Sequence, residues 1–126
     1  MALGAGNGFE RVIGVCAGLA GAAGVAASAA GAHAYAGTNL DTAGKMLIMH
    51  AAALIALAVP SIGSRWLRRI AAATMALGIT LFSGDLTLSS TMGASLFPMA
   101  APLGGLLLIA SWLVAALSFL ARRDQP

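Results

Sequence analysis

Charge is what this chain has least of. Charged residues make up 9% of its 126 positions, against 60% hydrophobic ones. A soluble domain carries about 25% charged residues, and a water-soluble fold this small would leave broad apolar patches on its surface. Cysteine is almost missing too. The one present, Cys16, cannot form a disulfide within the chain, and its place in an apolar stretch reads as a small buried filler. No acylation box is visible, and Cys16 lies too deep in its stretch to accept a lipid. The two histidines and four acidic residues fall at no zinc-ligand spacing, so no metal site is expected. Ser83 and Ser89 have no base and orienting group arranged around them, which argues against an enzyme.

What the chain does have is length without charge. Residues 12–32 carry none, and three further apolar stretches follow. About 20 such residues, wound as a helix, cross the roughly 30 Å hydrocarbon core of a bilayer. An unpaired backbone group costs several kcal/mol in lipid, so only helices or closed barrels span it. The continuous runs lack the alternation of barrel strands. The expectation is an all-α integral membrane bundle, one domain over 1–126, with helices at about 12–32, 44–62, 70–88 and 101–120. Gly37-Thr38-Asn39 reads as a turn. Pro98 and Pro102 precede or open the last helix, where a missing N–H costs nothing. Ala32-His33-Ala34 resembles a signal cleavage site, but a signal core is about 7 to 15 residues. The first stretch is longer and glycine-rich, and is read as an uncleaved helix.

Four spans put both termini and the loop after the second span on one side. That side holds Arg11, Arg65, Arg68, Arg69, Arg122 and Arg123, and the other holds only Lys45. The positive-inside rule then places both termini in the cytoplasm. The Arg65-Arg68-Arg69 cluster reads as a topology anchor near anionic headgroups, so no nucleic-acid partner is expected.

Small residues crowd the first span. Gly14 and Gly18 form a GxxxG pair, and Gly14, Gly18, Gly21, Val25, Ser28 and Ala32 recur at alternating steps of four and three. Such a seam lets backbones approach and gain dispersion contacts. Corresponding seams read Met46, His50, Ala53, Leu57 and Pro60 on the second span, and Thr74, Gly78, Leu81 and Asp85 on the third. On the fourth the seam is Gly104, Leu108, Ser111, Ala115 and Ser118. One seam, with the GxxxG side favoured, could face another protomer or a partner protein.

His33, His50 and Asp85 are the ionisable groups in or at the spans, and the expected topology sets all three toward the non-cytoplasmic half at similar height. A charge facing lipid costs about 2.5 to 3.5 kcal/mol or more, which favours interior positions. Three roles follow. The residues could be structural hydrogen-bonding groups. Asp85 could pair with a histidine in a proton or ligand site. His33 and His50 could be axial ligands to haem b.

Four motifs occur in order: Ala30-Gly31-Ala32-His33, Met49-His50-Ala51, Leu81-Phe82-Ser83-Gly84, and Pro102-Leu103-Gly104-Gly105 with Trp112. Together the set resembles the YgdD-like family of small bacterial inner-membrane proteins, a domain of unknown function with small transmembrane relatives in animal mitochondria. The resemblance covers roughly residues 12–120. It implies four membrane helices and a bacterial inner-membrane location, and it supplies no activity. It adds weight to His33, His50, Ser83, Gly84, Pro102, Gly104 and Gly105, with Gly31 inside the first motif. The chain departs from the pattern at Met49, where a tyrosine is common, at Ala30, where an aromatic is typical, and at Asp85, where an uncharged residue is usual. A mechanism that needs Asp85 would therefore be particular to this protein.

The expectation that follows is a non-enzymatic scaffold or accessory subunit, self-associating or joined to a larger membrane complex. The alternative is a small transporter or channel for protons or a small solute, using the His33, His50, Asp85 and Ser83 level. A haem b carrier is a third reading, and no other cofactor is expected.

Overall fold

Four helices follow one another in the computed structural model, which describes residues 7–60 and 62–122: α1 Gly8–Ala32, α2 Leu40–Ala58, α3 Arg65–Met92 and α4 Ala100–Leu120. All four are long and apolar enough to cross a membrane, and no strand occurs among the described residues. Arg123 lies outside the described residues.

The ends of the helices depart from the expected boundaries for local reasons. The second helix was expected at 44–62 and runs Leu40–Ala58 instead. Pro60 forces the residue before it out of the helical region, and Val59 is extended at φ −87°, ψ 137°. At the other end the polar residues after Asn39 wind into the helix. Asp41 sits in the first turn, where its charge suits the helix dipole, and Lys45 reaches it at 2.7 Å, four residues on. The third helix was expected at 70–88 and runs Arg65–Met92. The Ser64 hydroxyl caps it by accepting from the Leu67 N–H at 3.3 Å. Gly93, left-handed at φ 66°, stops it, and its N–H donates to the Ser89 carbonyl. Met99, at φ 71°, is the one described non-glycine residue with positive φ, and it stands immediately before α4.

Packing runs in chain order. α1 lies along α2, α2 against α3, and α3 along α4, with lighter contact from α1 to α3. No extensive packing joins α1 to α4 or α2 to α4 among the described residues. The bundle is therefore an open row, with α1 and α4 at its two edges. Each outer hairpin closes on a facing pair of glycines. A Cβ on Gly24 would come within 2.8 Å of the Gly44 carbonyl oxygen, and one on Gly44 would strike the Ser28 backbone. A Cβ on Gly104 would lie 2.6 Å from the Phe82 nitrogen and 2.8 Å from the Gly78 oxygen. Lipid gives no hydrophobic drive between helices, so this close approach is the source of the packing energy. Gly31 repeats the device against the Asp41 backbone.

The α1 seam is rotated from the expected one. Ile13, Ala17, Gly24 and Gly31 are the buried positions of α1. Gly21 lies near Ala51, whereas Gly14 and Gly18 face open space. On α3 the buried set includes Gly78 but shifts to Ala71, Met75, Ile79 and Ser83, away from Thr74, Leu81 and Asp85. On α4, Gly104, Leu108, Ser111, Ala115 and Ser118 are all buried.

One end of the bundle is tied by polar contacts. The Ser64 N–H donates to the Ser118 carbonyl at 2.8 Å, so the α2–α3 turn docks on the end of α4. Gly63, at φ 89°, is pressed so closely to that carbonyl that no side chain would fit. Arg69 forks onto Glu10, with Nε to Oε1 at 2.8 Å and Nη2 to Oε2 at 3.0 Å, and lies over the Phe9 ring. This joins the starts of α1 and α3 at the end that carries Arg11, Arg65, Arg68 and Arg122.

Candidate functional site

His50 is 2% exposed, and it sits near the middle of α2 because that helix begins at Leu40. Helical rise puts it roughly 15 Å along the helix. Both ring nitrogens are engaged. Nδ1 lies 2.8 Å from the Met46 carbonyl oxygen, one turn back. Nε2 lies 3.1 Å from the Trp112 indole nitrogen on α4. A carbonyl can only accept and an indole N–H can only donate. The geometry therefore selects the neutral imidazole with its hydrogen on Nδ1. The two rings meet edge to face, 5.8 Å apart at 63°.

This bond crosses a groove. Between α2 and α4 lies a space of about 510 Å³, open on one side and lined by Met46, Met49, Pro102, Gly105, Ile109 and Trp112 among others. Pro102 lies in the first turn of α4, where its absent N–H leaves nothing unpaired. Gly105 contributes no side chain, and its nearest neighbour across α3 is Phe82.

The other ionisable residues expected at the same level lie elsewhere. His33 is the exposed cap residue of α1, and its backbone N–H donates to the Ala30 carbonyl. Asp85 faces the α3–α4 loop, where Oδ1 accepts from the Ser95 hydroxyl at 2.7 Å and the Leu96 N–H at 2.9 Å. Ser83 is 1% exposed and donates to the Ala43 carbonyl at 2.9 Å, which joins α3 to α2. That contact fixes the relative heights. Counted from it, Asp85 lies toward the loop end and His50 toward the arginine-bearing end, on the order of 13 Å apart by helical rise. The expected common height and the Asp85–histidine pair are thus corrected: the earlier start of α2 carries His50 deeper. Axial ligation needs a free ring lone pair, and at His50 that lone pair already accepts from Trp112.

Two partners escaped the sequence reading. Trp112 appeared there only within a family motif, and Glu10 was not singled out. Glu10 did carry a signal, as an acid between an aromatic and Arg11 on the side of the expected bundle that holds the arginines. Nothing in the sequence linked Trp112 to His50. Among the described residues, no group of three or more His, Cys, Asp or Glu side chains is placed to hold a metal ion. Gly84, near Leu96 at 3.5 Å from an added Cβ, packs α3 beneath the loop that Asp85 holds.

No curated protein and no solved structure matches this chain. Residues 20–105 match a family described as a protein of unknown function, DUF423. That stretch takes in the second half of α1, all of α2 and α3, and the start of α4 with Gly104 and Gly105. The chain belongs to the DUF423 family of proteins of unknown function.

Proposed function

We propose that this chain is a small non-enzymatic membrane protein that acts by association, with itself or as an accessory subunit of a larger membrane complex. The observation that carries this reading is the state of His50. Its two nitrogens are spent on Met46 and Trp112, which makes it a structural bridge and leaves it no lone pair for a passing ligand. Ser83, Ser111 and Ser118 are likewise committed to carbonyls, and Asp85 to a loop. What the protein offers its surroundings is surface. The α1 edge supports the reading, with Gly14 and Gly18 open beside exposed Val15 and Leu19.

The location we propose is a bacterial inner membrane, with both termini in the cytoplasm. Arg11, Arg65, Arg68, Arg69 and Arg122 lie toward one end of the bundle, and Lys45, paired with Asp41, toward the other. The positive-inside bias supports that orientation.

Purification of the full chain in mild detergent, with crosslinking in the native membrane beforehand, tests the reading. Homo-oligomers or a reproducible partner are expected. A strictly monomeric particle with nothing attached overturns it. Proteoliposome flux that is lost in His50→Ala would instead favour the transporter reading.

A further inference from the structure

We propose that the α3–α4 loop, residues 93–99, is a lipid-docking element: Leu96, Phe97 and Met99 enter the headgroup–acyl boundary of the bilayer, and Asp85 holds the loop at that depth. Every residue from Thr91 to Met99 is exposed. The loop carries no charge, and its one polar side chain, Ser95, already lies 2.7 Å from Asp85 Oδ1 and 2.9 Å from the Phe97 carbonyl oxygen. The α1–α2 loop at the same end differs, since it shows His33, Tyr35, Thr38 and Asn39 to its surroundings. Two loops at one end of the bundle are thus built for media of different polarity.

Heights locate the apolar loop. The Ser83–Ala43 bond sets α3 against α2. Two residues outward from it, roughly 3 Å by helical rise, stand Asp85 on α3 and Asp41 on α2. Lys45 reaches Asp41 at 2.7 Å. These three are the charged residues of that end of the bundle. A charge facing lipid is costly, so they mark where hydrocarbon gives way to headgroups. α3 runs on for seven residues to Met92, roughly 10 Å further out. The chain does not stay there. The Leu96 N–H donates to Asp85 Oδ1 at 2.9 Å, so within four residues of Met92 the backbone is back at the level of the boundary charges. It then enters α4, an edge of the open row.

Met99 points the same way. It holds a left-handed φ of 71°, which glycine would take at less cost, and its side chain is exposed. An apolar side chain kept outside in a strained turn gains contact only from what surrounds the protein. At this height the surroundings are the interfacial layer, where the apolar side chains of membrane-surface segments bury.

The test uses the full chain in phosphatidylethanolamine–phosphatidylglycerol vesicles, with Cys16→Ala to remove the one native thiol. Single spin labels go onto Phe97→Cys and Met99→Cys. Thr38→Cys is the aqueous reference, and Leu113→Cys, exposed on α4, is the hydrocarbon reference. Collision with dissolved oxygen and with a water-soluble nickel chelate, present on both faces, is read by paramagnetic resonance. The labels at 97 and 99 should meet nickel several-fold less often than the label at 38, while staying open to oxygen. Nickel access equal to that at 38 overturns the proposal. So does exclusion of both reagents, which would mean that a protein covers the loop. Adding Asp85→Ala should raise nickel access at 97 toward the value at 38 and leave the label at 113 unchanged. A label at 97 that stays shielded in that variant overturns the role of Asp85 in holding the loop.

Discussion

Trp112 donates its indole N–H to His50 Nε2 at 3.1 Å, across 62 positions of sequence and between two helices that otherwise scarcely pack. Trp112→Phe keeps most of the ring and removes the donor, leaving a buried acceptor without a partner. Such a loss costs about 1 to 3 kcal/mol. Unfolding in detergent should show a destabilisation in that range, and a stability equal to wild type would mean the bond contributes nothing.

The glycines divide into two classes by what lies opposite them. Gly44→Val and Gly104→Val push side chains into the Ser28 and Phe82 backbones. Overpacking of this kind costs about 1 to 3 kcal/mol, occasionally more, and the hairpins should separate. Gly14→Val and Gly18→Val meet nothing within 4 Å and should leave the monomer's stability unchanged. Protease resistance of the four variants, side by side, measures the contrast. Equal damage from both classes would refute the observed rotation of α1.

The Ser28 hydroxyl is buried without a hydrogen-bond partner among the described residues. An unsatisfied buried hydroxyl is a cost of about 1 to 3 kcal/mol. Ser28→Ala removes it without adding bulk, so the variant should match or exceed wild-type stability. A clear loss in thermal unfolding would show that the hydroxyl has a bonding role.

Glu10 and Arg69 form a two-pronged ion pair whose side chains are 14% and 23% exposed. A double-mutant cycle with Glu10→Gln and Arg69→Met should give a coupling of about 1 kcal/mol, as expected for a partly solvated, well-aligned pair. Additive losses, with no coupling, would reduce the contact to coincidence of position.

The number and type of the helices were legible because apolar length is a one-dimensional signal. Their ends were less so. Hydropathy marks where hydrocarbon stops, while the backbone goes on winding through polar residues such as Asp41 and Lys45. At the second helix the apolar run continues to Ile62, while Pro60 ends the helix by holding Val59 extended. Hydropathy alone therefore sets this span four residues late, and His50 near its start at the level of Asp85. The α4 stripe was readable because its serines and Gly104 stand in an otherwise bulky helix. In α1 small residues occur all round, so Gly14 and Gly18 were indistinguishable from Gly24 and Gly31. The rotation is set by what α2 presents, above all Gly44. The Trp112–His50 contact depends on two helix rotations and a shared height, none of which a single sequence encodes locally.

The length of α3 has a consequence of its own. Its first two turns carry Arg65, Arg68 and Arg69, and Asp85 stands roughly 24 Å beyond Arg69 by helical rise, short of the roughly 30 Å of an average hydrocarbon core. Charges of opposite sign thus bound an uncharged stretch shorter than one average bilayer, and the final turns continue past Asp85 to Met92. In a thick sheet of lipid the leaflets must thin around the rod or the flanking arginines must reach outward. The protein therefore carries its own gauge, and it should partition toward membranes whose depth matches it.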